Sequence, residues 1–204
     1  MKLYYAPGAC SLAAHIALRE SGLPFELDRV DLREHRTAGD RDYYAINPKG
    51  YVPLLELDDG ERLTEVAVIL QYVADRRPGT LAPVFGSIAR YRLMEWLNFI
   101  ATELHKGLAP LWEPATPDVY KAMALRAVET RFDYVVKALG TKPYLTGDAF
   151  SIADAYLFTI VNWHNFLKFG LDRWPALQQF QQRVAARPNV RRALENEHLL
   201  KQAA

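Results

Sequence analysis

Hydrophobic and polar positions alternate along much of the first eighty residues, and two periodicities are mixed there. Period-two alternation, interrupted by Pro, Gly and Asp turns, predicts short strands at 1–5, 25–30, 52–57 and 62–63. Helical spacing predicts a helix from Ser11 to Ser21, which Gly22 ends, and a second helix that Thr64 and Glu65 open. The order strand–helix–strand, followed by strand–strand–helix, predicts a small α/β layer.

The strand pattern ends before about Ser87, and helical spacing takes over. Apolar residues recur every three or four positions, which predicts helices over 91–104, 123–139, 152–167, 177–184 and 190–200. Gly and Pro are concentrated between the two parts. We therefore expect an α/β domain at 1–80, a linker at 81–86 and an all-helical domain at 87–204.

Composition narrows the class of protein. The 204 residues are 50% hydrophobic, which suffices for a substantial core, and 25 basic residues face 24 acidic ones. With so small a net charge, the sequence gives no sign of a basic surface that would bind nucleic acid or an anionic membrane. No apolar run reaches the roughly 18–20 residues needed to span a bilayer. The N-terminus lacks the apolar stretch of a secretory signal, and a single cysteine cannot form an internal disulfide. We expect a cytoplasmic protein.

The single cysteine, Cys10, lies where the first strand turns into the first helix. A thiol among the unpaired N–H groups of a helix start has a lowered pKa and lies in a site that favours anions. The alternative is that Cys10 only packs, as buried cysteines often do. Ser11 beside it has two interpretations as well: donation to a sulfur anion, or an N-terminal helix cap.

Two other helices carry polar residues with open interpretations. Asn98, Thr102 and His105 are spaced four and then three, which predicts one shared helix face that lines a cleft or meets solvent. Glu65 at a helix start is stabilised by the helix dipole, and capping alone would explain it.

Several segments together carry a resemblance to a known family. The opening MKLYYAPGACSLAAHIALRE, INPKGYVP, LTEVAVILQYVAD, EWLNFIATELHKG and SIADAYLF resemble the bacterial beta class of the glutathione transferases over essentially the whole chain. The resemblance implies a thioredoxin-like glutathione-binding domain followed by a helical domain that contributes the electrophile pocket. It also implies a homodimer and glutathione as co-substrate, with no tightly bound cofactor and no metal.

The resemblance assigns residues to glutathione. It implies a cis Val52-Pro53 bond that presents the Val52 backbone to the cysteinyl part, and Glu65 as acceptor of the γ-glutamyl ammonium. The full set implied to bind glutathione is Cys10, His35, Tyr51, Val52, Pro53, Glu65, Val66, Asn98, His105 and Lys106. The chain departs from the family in three places: Val66 replaces glycine or serine, His35 and Arg36 stand where the family often has a lysine near position 35, and Tyr51 replaces a glutamine.

The resemblance also implies the chemistry. Cys10, His105 and Lys106 would act on the glutathione sulfur, with Ser11 beside Cys10. Tyr5 is a further candidate, ranked below Cys10. Ala9, Trp112 and Trp163 would line the electrophile pocket. The expected reaction is conjugation of glutathione to hydrophobic electrophiles. Alternatives are thiol–disulfide exchange or reductive dehalogenation through a Cys10 mixed disulfide, and a non-catalytic ligand-binding role on the same fold.

Overall fold

The computed structural model describes residues 1–167 and 169–200. The described chain forms two compact units, one of residues 1–82 with 186–200 and the other of residues 83–185. The strands are β1 (Lys2–Tyr5), β2 (Glu26–Asp31), β3 (Arg36–Thr37), β4 (Leu54–Glu56) and β5 (Arg62–Thr64). The helices are α1 (Ser11–Ser21), α2 (Val66–Asp75), α3 (Ile88–Phe99), α4 (Lys106–Trp112), α5 (Asp118–Leu139), α6 (Ile152–Val161), α7 (His164–Leu167), α8 (Pro175–Ala185) and α9 (Pro188–Asn196), with a π-helical segment at Ile100–His105.

The first unit is built on a mixed sheet of order β3-β2-β1-β4-β5. Strand β1 pairs in parallel with β2, and the remaining pairs are antiparallel. The predicted thioredoxin-like α/β layer is confirmed. The sequence did not predict β3, because a strand of two residues is too short to show an alternation.

Helix α1 lies at the centre of this unit and contacts β1, α2 and α9. Its residues from Ser11 to Leu18 are all buried, so no face remains for solvent. Six of the eight residues in this stretch are accordingly apolar, and no polar face runs along it. Because α1 follows β1 directly, the core fixes both ends of the loop that holds Cys10.

The last helix differs from the predicted domain division. We assigned 87–204 to the helical domain, whereas α9 packs against α1 and belongs to the first unit. Val190, Ala193 and Leu194 supply its buried face, and Arg187 forms an ion pair with Glu20 at 2.7 Å. Hydrophobic spacing predicts such a face but not which core it covers.

The second unit is helical, as predicted. Helix α6 is buried at every position, as expected of a helix that is apolar on all sides. A capping box begins it: Asp154 accepts hydrogen bonds from the backbone N–H and hydroxyl of Ser151. At Gly107 a Cβ would lie 2.8 Å from Val128 Cγ2, so α4 and α5 approach closely there.

Two predicted helices are interrupted. The helix predicted over 152–167 breaks between α6 and α7, and the one over 91–104 changes to π-helical hydrogen bonding at Ile100. Within the described residues, no helix combines the length and the apolar character needed to cross a bilayer.

Candidate functional site

The Cys10 thiol lies at the start of α1 and makes no capping hydrogen bond to that helix. Cys10 has helical backbone angles (φ −60°, ψ −19°) rather than the extended angles of a capping residue. The first helical N–H groups instead bond to backbone oxygens, Leu12 to Ala9 and Ala13 to Cys10. The thiol donates to the carbonyl oxygen of Val52 at 3.2 Å. The loop before β4 therefore provides a partner for the thiol at the helix start.

Ser11 is fully buried and serves the backbone of the loop. Its hydroxyl donates to the Ala6 carbonyl and accepts from the Ala6 N–H, both at 3.2 Å. Neither predicted role, donation to sulfur or a helix cap, describes these contacts. Ser11 instead closes the turn between β1 and α1. Ala9 in that turn is half-buried and packs against the sheet core.

A buried carboxylate holds the same turn from the end of α9. Glu197 accepts from the Gly8 backbone N–H at 2.9 Å and from His15 Nδ1 at 2.8 Å. Arg19 Nε donates to His15 Nε2 at 2.9 Å, which places the imidazole hydrogen on Nδ1, toward Glu197. The sequence did not predict a role for Glu197, since 187 positions separate it from Cys10 and no local motif marks it.

Tyr5 is buried at the end of β1, with its ring 6.1 Å from that of His15. Burial raises the pKa of Tyr5, the nearby Glu197 carboxylate raises it further, and Arg29 opposes both. Tyr5 therefore keeps its proton at neutral pH, and its neutral hydroxyl can donate or accept a hydrogen bond.

The loop before β4 presents the Val52 backbone. The buried Asn47 side chain donates to the Tyr51 carbonyl at 2.6 Å, and the Tyr43 hydroxyl donates to the same oxygen at 3.2 Å. Val52 is buried, and the Val52-Pro53 bond is cis, as the resemblance implied. The Asn47 side chain and the turn from Asn47 to Gly50 therefore fix the loop whose Val52 carbonyl meets the Cys10 sulfur.

Glu65 precedes α2 and forms a cluster of charged and polar groups. Its Oε1 accepts from Lys49 Nζ at 2.7 Å and from the Tyr51 hydroxyl at 2.9 Å. Lys49 Nζ also donates to the Thr64 hydroxyl at 2.9 Å. The backbone of Glu65 has φ 71°, a conformation that costs about 1–3 kcal/mol in a residue with a side chain and recurs at functional sites. We call Lys49, Tyr51, Thr64 and Glu65 the Glu65 cluster.

Two of the departures from the family have clear structural consequences. The Val66 side chain is buried in the first unit, so its extra bulk contributes to the core. His35 contacts the Gly50 carbonyl through Nδ1 at 3.1 Å and the Tyr44 hydroxyl through Nε2 at 3.2 Å. Both nitrogens are engaged within the fold, and His35 thereby supports the loop before Tyr51.

In the second unit, His105 is held by aromatic residues. Its Nδ1 lies 2.7 Å from the hydroxyl of Tyr156, which is buried on α6. Its ring packs edge-on against Trp163 at 5.0 Å, and Trp163 packs against Trp112 at 5.3 Å. The predicted pocket residue Trp163 thus lies next to His105, and the second one, Trp112, lies next to Trp163. The ring of Phe166 lies 6.2 Å from that of Trp112. We call His105, Trp112, Tyr156, Trp163 and Phe166 the aromatic cluster.

The three residues predicted to share one polar face of the long helix lie in different surroundings. Asn98 and Thr102 are exposed and bonded to each other, the Thr102 hydroxyl donating to the Asn98 carbonyl, whereas His105 is half-buried against Tyr156. The π-helical turn explains this: Lys106 N–H bonds to the Ala101 carbonyl five residues back, which rotates the following residues about the axis. Lys106 is exposed beside His105.

Comparison with known proteins places this geometry in a family. Residues 8–76 match the model of the glutathione S-transferase N-terminal domain, and residues 99–188 match that of the C-terminal domain. Glutathione S-transferase GstA of Escherichia coli O157:H7 is 51% identical over 98% of this chain and 100% of its own length.

Solved structures agree with the sequence comparisons. The beta-class glutathione S-transferase of Sphingomonas chungbukensis is 42% identical with a TM-score of 0.94, and a sphingomonad glutathione S-transferase complexed with glutathione is 44% identical with a TM-score of 0.93. Each covers 98% of this chain, and this chain covers 100% of each. The chain belongs to the glutathione S-transferase family and resembles its bacterial beta class.

Proposed function

We propose that this enzyme conjugates reduced glutathione to hydrophobic electrophiles, in detoxification and in the cytoplasm. The observation that carries the site assignment is the 3.2 Å contact between Cys10 Sγ and the Val52 carbonyl. It brings the thiol to the backbone group that the family uses for the cysteinyl part of glutathione. In this proposal the first unit, without α9, corresponds to the predicted glutathione-binding domain.

The central cysteinyl residue and the γ-glutamyl end of glutathione would be held in the first unit. Val52 offers its backbone to the cysteinyl residue, and Glu65 offers a carboxylate to the γ-glutamyl ammonium. The Val66 N–H, at the start of α2, receives the adjacent carboxylate. Charge-assisted hydrogen bonds of this kind contribute about 1.5–3 kcal/mol each when well formed.

His105 and Lys106 would favour the glutathione thiolate, His105 by a hydrogen bond and Lys106 by its charge. A pKa lowered by one unit corresponds to about 1.4 kcal/mol, so the larger part of the acceleration comes from holding both reactants in line. The aromatic cluster offers the electrophile an apolar surface, since Trp112 and Phe166 are 45% and 44% exposed. Asn98 is assigned to glutathione by the resemblance alone.

A homodimer completes the proposal. Val84, Phe85 and Ile88 in the second unit are each at least 72% exposed, which is unusual for three neighbouring apolar side chains. A partner subunit would cover them. Sedimentation equilibrium should give about twice the chain mass, and Phe85→Glu should lower it toward the monomer.

Thiol–disulfide exchange is the second candidate function, and the position of Cys10 favours it. A thiol at the Val52 carbonyl would lie beside the sulfur of bound glutathione. The Cys10 thiolate would attack a glutathione mixed disulfide, form a Cys10–glutathione disulfide and expel the substrate thiolate. A second glutathione would then release glutathione disulfide and regenerate the Cys10 thiol.

One experiment separates the two functions. Wild type and Cys10→Ala are assayed with glutathione plus a chloronitrobenzene acceptor, and with a glutathione mixed disulfide. Conjugation by both proteins with loss of disulfide reduction in the variant would assign Cys10 to redox chemistry only. Absence of both activities in the wild type would contradict both enzymatic proposals and favour a ligand-binding role.

A further inference from the structure

The Glu65 cluster contains a lysine to which the resemblance assigns no role. Lys49 Nζ lies 2.7 Å from Glu65 Oε1 and 2.9 Å from the hydroxyl of Thr64, the residue before Glu65. The ammonium is thereby held directly beside the start of α2. The hydrogen bond to Glu65 raises the pKa of Lys49, so the group stays cationic.

The ion pair between Lys49 and Glu65 is open to exchange. The two side chains are 46% and 54% exposed, and exposed pairs contribute only about 0–1 kcal/mol. The Tyr51 hydroxyl donates to the same Glu65 oxygen, which orients the carboxylate independently of Lys49. Lys49 can therefore turn to another anion while Glu65 stays in place.

The γ-glutamyl end of glutathione carries an ammonium and a carboxylate on one carbon, and a neighbouring anion and cation complement that pattern. We propose that Lys49 binds the γ-glutamyl α-carboxylate while Glu65 binds the α-ammonium, so the resting ion pair opens to receive the zwitterion. The inference rests on the proposed function, since it assumes that glutathione binds at Glu65. It adds Lys49 to the residues that bind the γ-glutamyl end.

The charges balance through this exchange. The resting pair is neutral overall, and the zwitterionic end is neutral as well. Each charge gains a new partner of opposite sign, so neither Lys49 nor Glu65 is left desolvated without one. The carboxylate has two oxygens, which lets it accept from Lys49 and from the Val66 N–H together.

Calorimetric titration with glutathione and two truncated analogues tests the exchange. One analogue has 4-aminobutyryl in place of γ-glutamyl and lacks the α-carboxylate, and the other has glutaryl and lacks the α-ammonium. Lys49→Met should lower the affinity for glutathione about tenfold relative to the wild type. The affinity for the 4-aminobutyryl analogue, which has no α-carboxylate for Lys49 to bind, should be the same in the variant and the wild type. The glutaryl analogue keeps the carboxylate and should also lose affinity in Lys49→Met.

Matched variants control for charge and folding. Lys2→Met removes an equally peripheral lysine, paired with Glu26 at the opposite end of β1 from Cys10, and should leave all three affinities unchanged. Lys49→Arg keeps the charge and should bind glutathione within about threefold of the wild type. Thermal unfolding of each variant verifies the fold.

The outcomes separate the two proposals. If Lys49→Met binds glutathione more tightly, Lys49 is a competitor for Glu65 and the inference is wrong. It is equally wrong if Lys49→Met weakens glutathione and the 4-aminobutyryl analogue by the same factor. If folded wild type binds no glutathione, the proposed function itself fails.

Discussion

The carboxylate of Glu197 accepts a hydrogen bond from the backbone N–H of Gly8 at 2.9 Å, although 189 positions separate the two residues. The second oxygen accepts from His15, whose side chain is fully buried on α1. The end of α9 thereby fixes the turn that carries Cys10. The position of the thiol depends on a residue that lies near the end of the described chain.

Removing this carboxylate should destabilise the protein and loosen the turn. Glu197→Ala leaves the Gly8 N–H and the His15 Nδ1–H buried without their acceptor, which should cost about 2–4 kcal/mol in the free energy of unfolding. Cys10 should then react faster with iodoacetamide. Urea denaturation and the alkylation rate measure the two effects.

Glu195→Ala is the matched control for Glu197→Ala. Glu195 is exposed on α9 and pairs with Arg191 one helical turn away, so its loss should change stability by less than about 0.5 kcal/mol. Equal alkylation rates in wild type and Glu197→Ala would show that Ser11 and the core hold the turn without Glu197.

Val66 should matter for stability more than for affinity. Its side chain is 5% exposed, so Val66→Ala should lower the free energy of unfolding by about 2 kcal/mol. The backbone N–H is retained, so glutathione affinity should stay within about twofold of the wild type. Serine is close in size to alanine but carries a hydroxyl. Comparing Val66→Ser with Val66→Ala therefore isolates the effect of that hydroxyl. Much tighter binding by Val66→Ala would show that the valine obstructs the site.

The sequence predicted those parts of the site that depend on local pattern. Turn residues and alternation located the strand–helix junction at Cys10 and the helix start at Glu65. The cis Val52-Pro53 bond came from the resemblance and not from the residues. These features lie within short segments whose backbone conformation is largely set by their own residues.

The partners of those residues were not predictable in the same way. The contacts of Glu197 with Gly8 and of Tyr156 with His105 join distant segments, and no periodicity encodes them. The π-helical turn before Lys106 is decided by packing, since an ordinary helical pattern continues through it. The contact of the Ser11 hydroxyl with Ala6 is local, but it depends on the exact backbone geometry of the turn, which residue types alone do not specify.

Asp154 should make stability depend on pH. Burial raises the pKa of its carboxyl to about 6, and hydrogen bonds from Leu145 and Ser151 only partly oppose that effect. An aspartate in the unfolded chain has a pKa near about 3.9, so between about pH 4 and pH 6 the folded protein binds the extra proton. The contribution of Asp154 to stability is therefore present below about pH 4 and falls by about 3 kcal/mol as the pH rises to above 6.

Asp154→Asn provides the reference for this pH dependence, because its side chain does not titrate. The free energy of unfolding of the wild type minus that of the variant, measured by urea denaturation, should decrease from pH 4 to about pH 6. An increase over that range would mean that the hydrogen bonds of the capping box outweigh burial and lower the pKa.

Tyr156 should determine whether Nε2 of His105 carries the ring hydrogen. A phenol hydroxyl that donates to Nδ1 leaves the ring hydrogen on Nε2, where it can bond to a sulfur anion. Tyr156→Phe removes that donor without removing the ring, and should cost about 1–2 kcal/mol of stability. The ultraviolet absorbance of bound glutathione thiolate should titrate at a higher pH in the variant. Tyr134→Phe, at an exposed position of α5, is the control and should leave this titration unchanged. An unshifted titration in Tyr156→Phe would restrict Tyr156 to packing and separate His105 from the ionisation of glutathione.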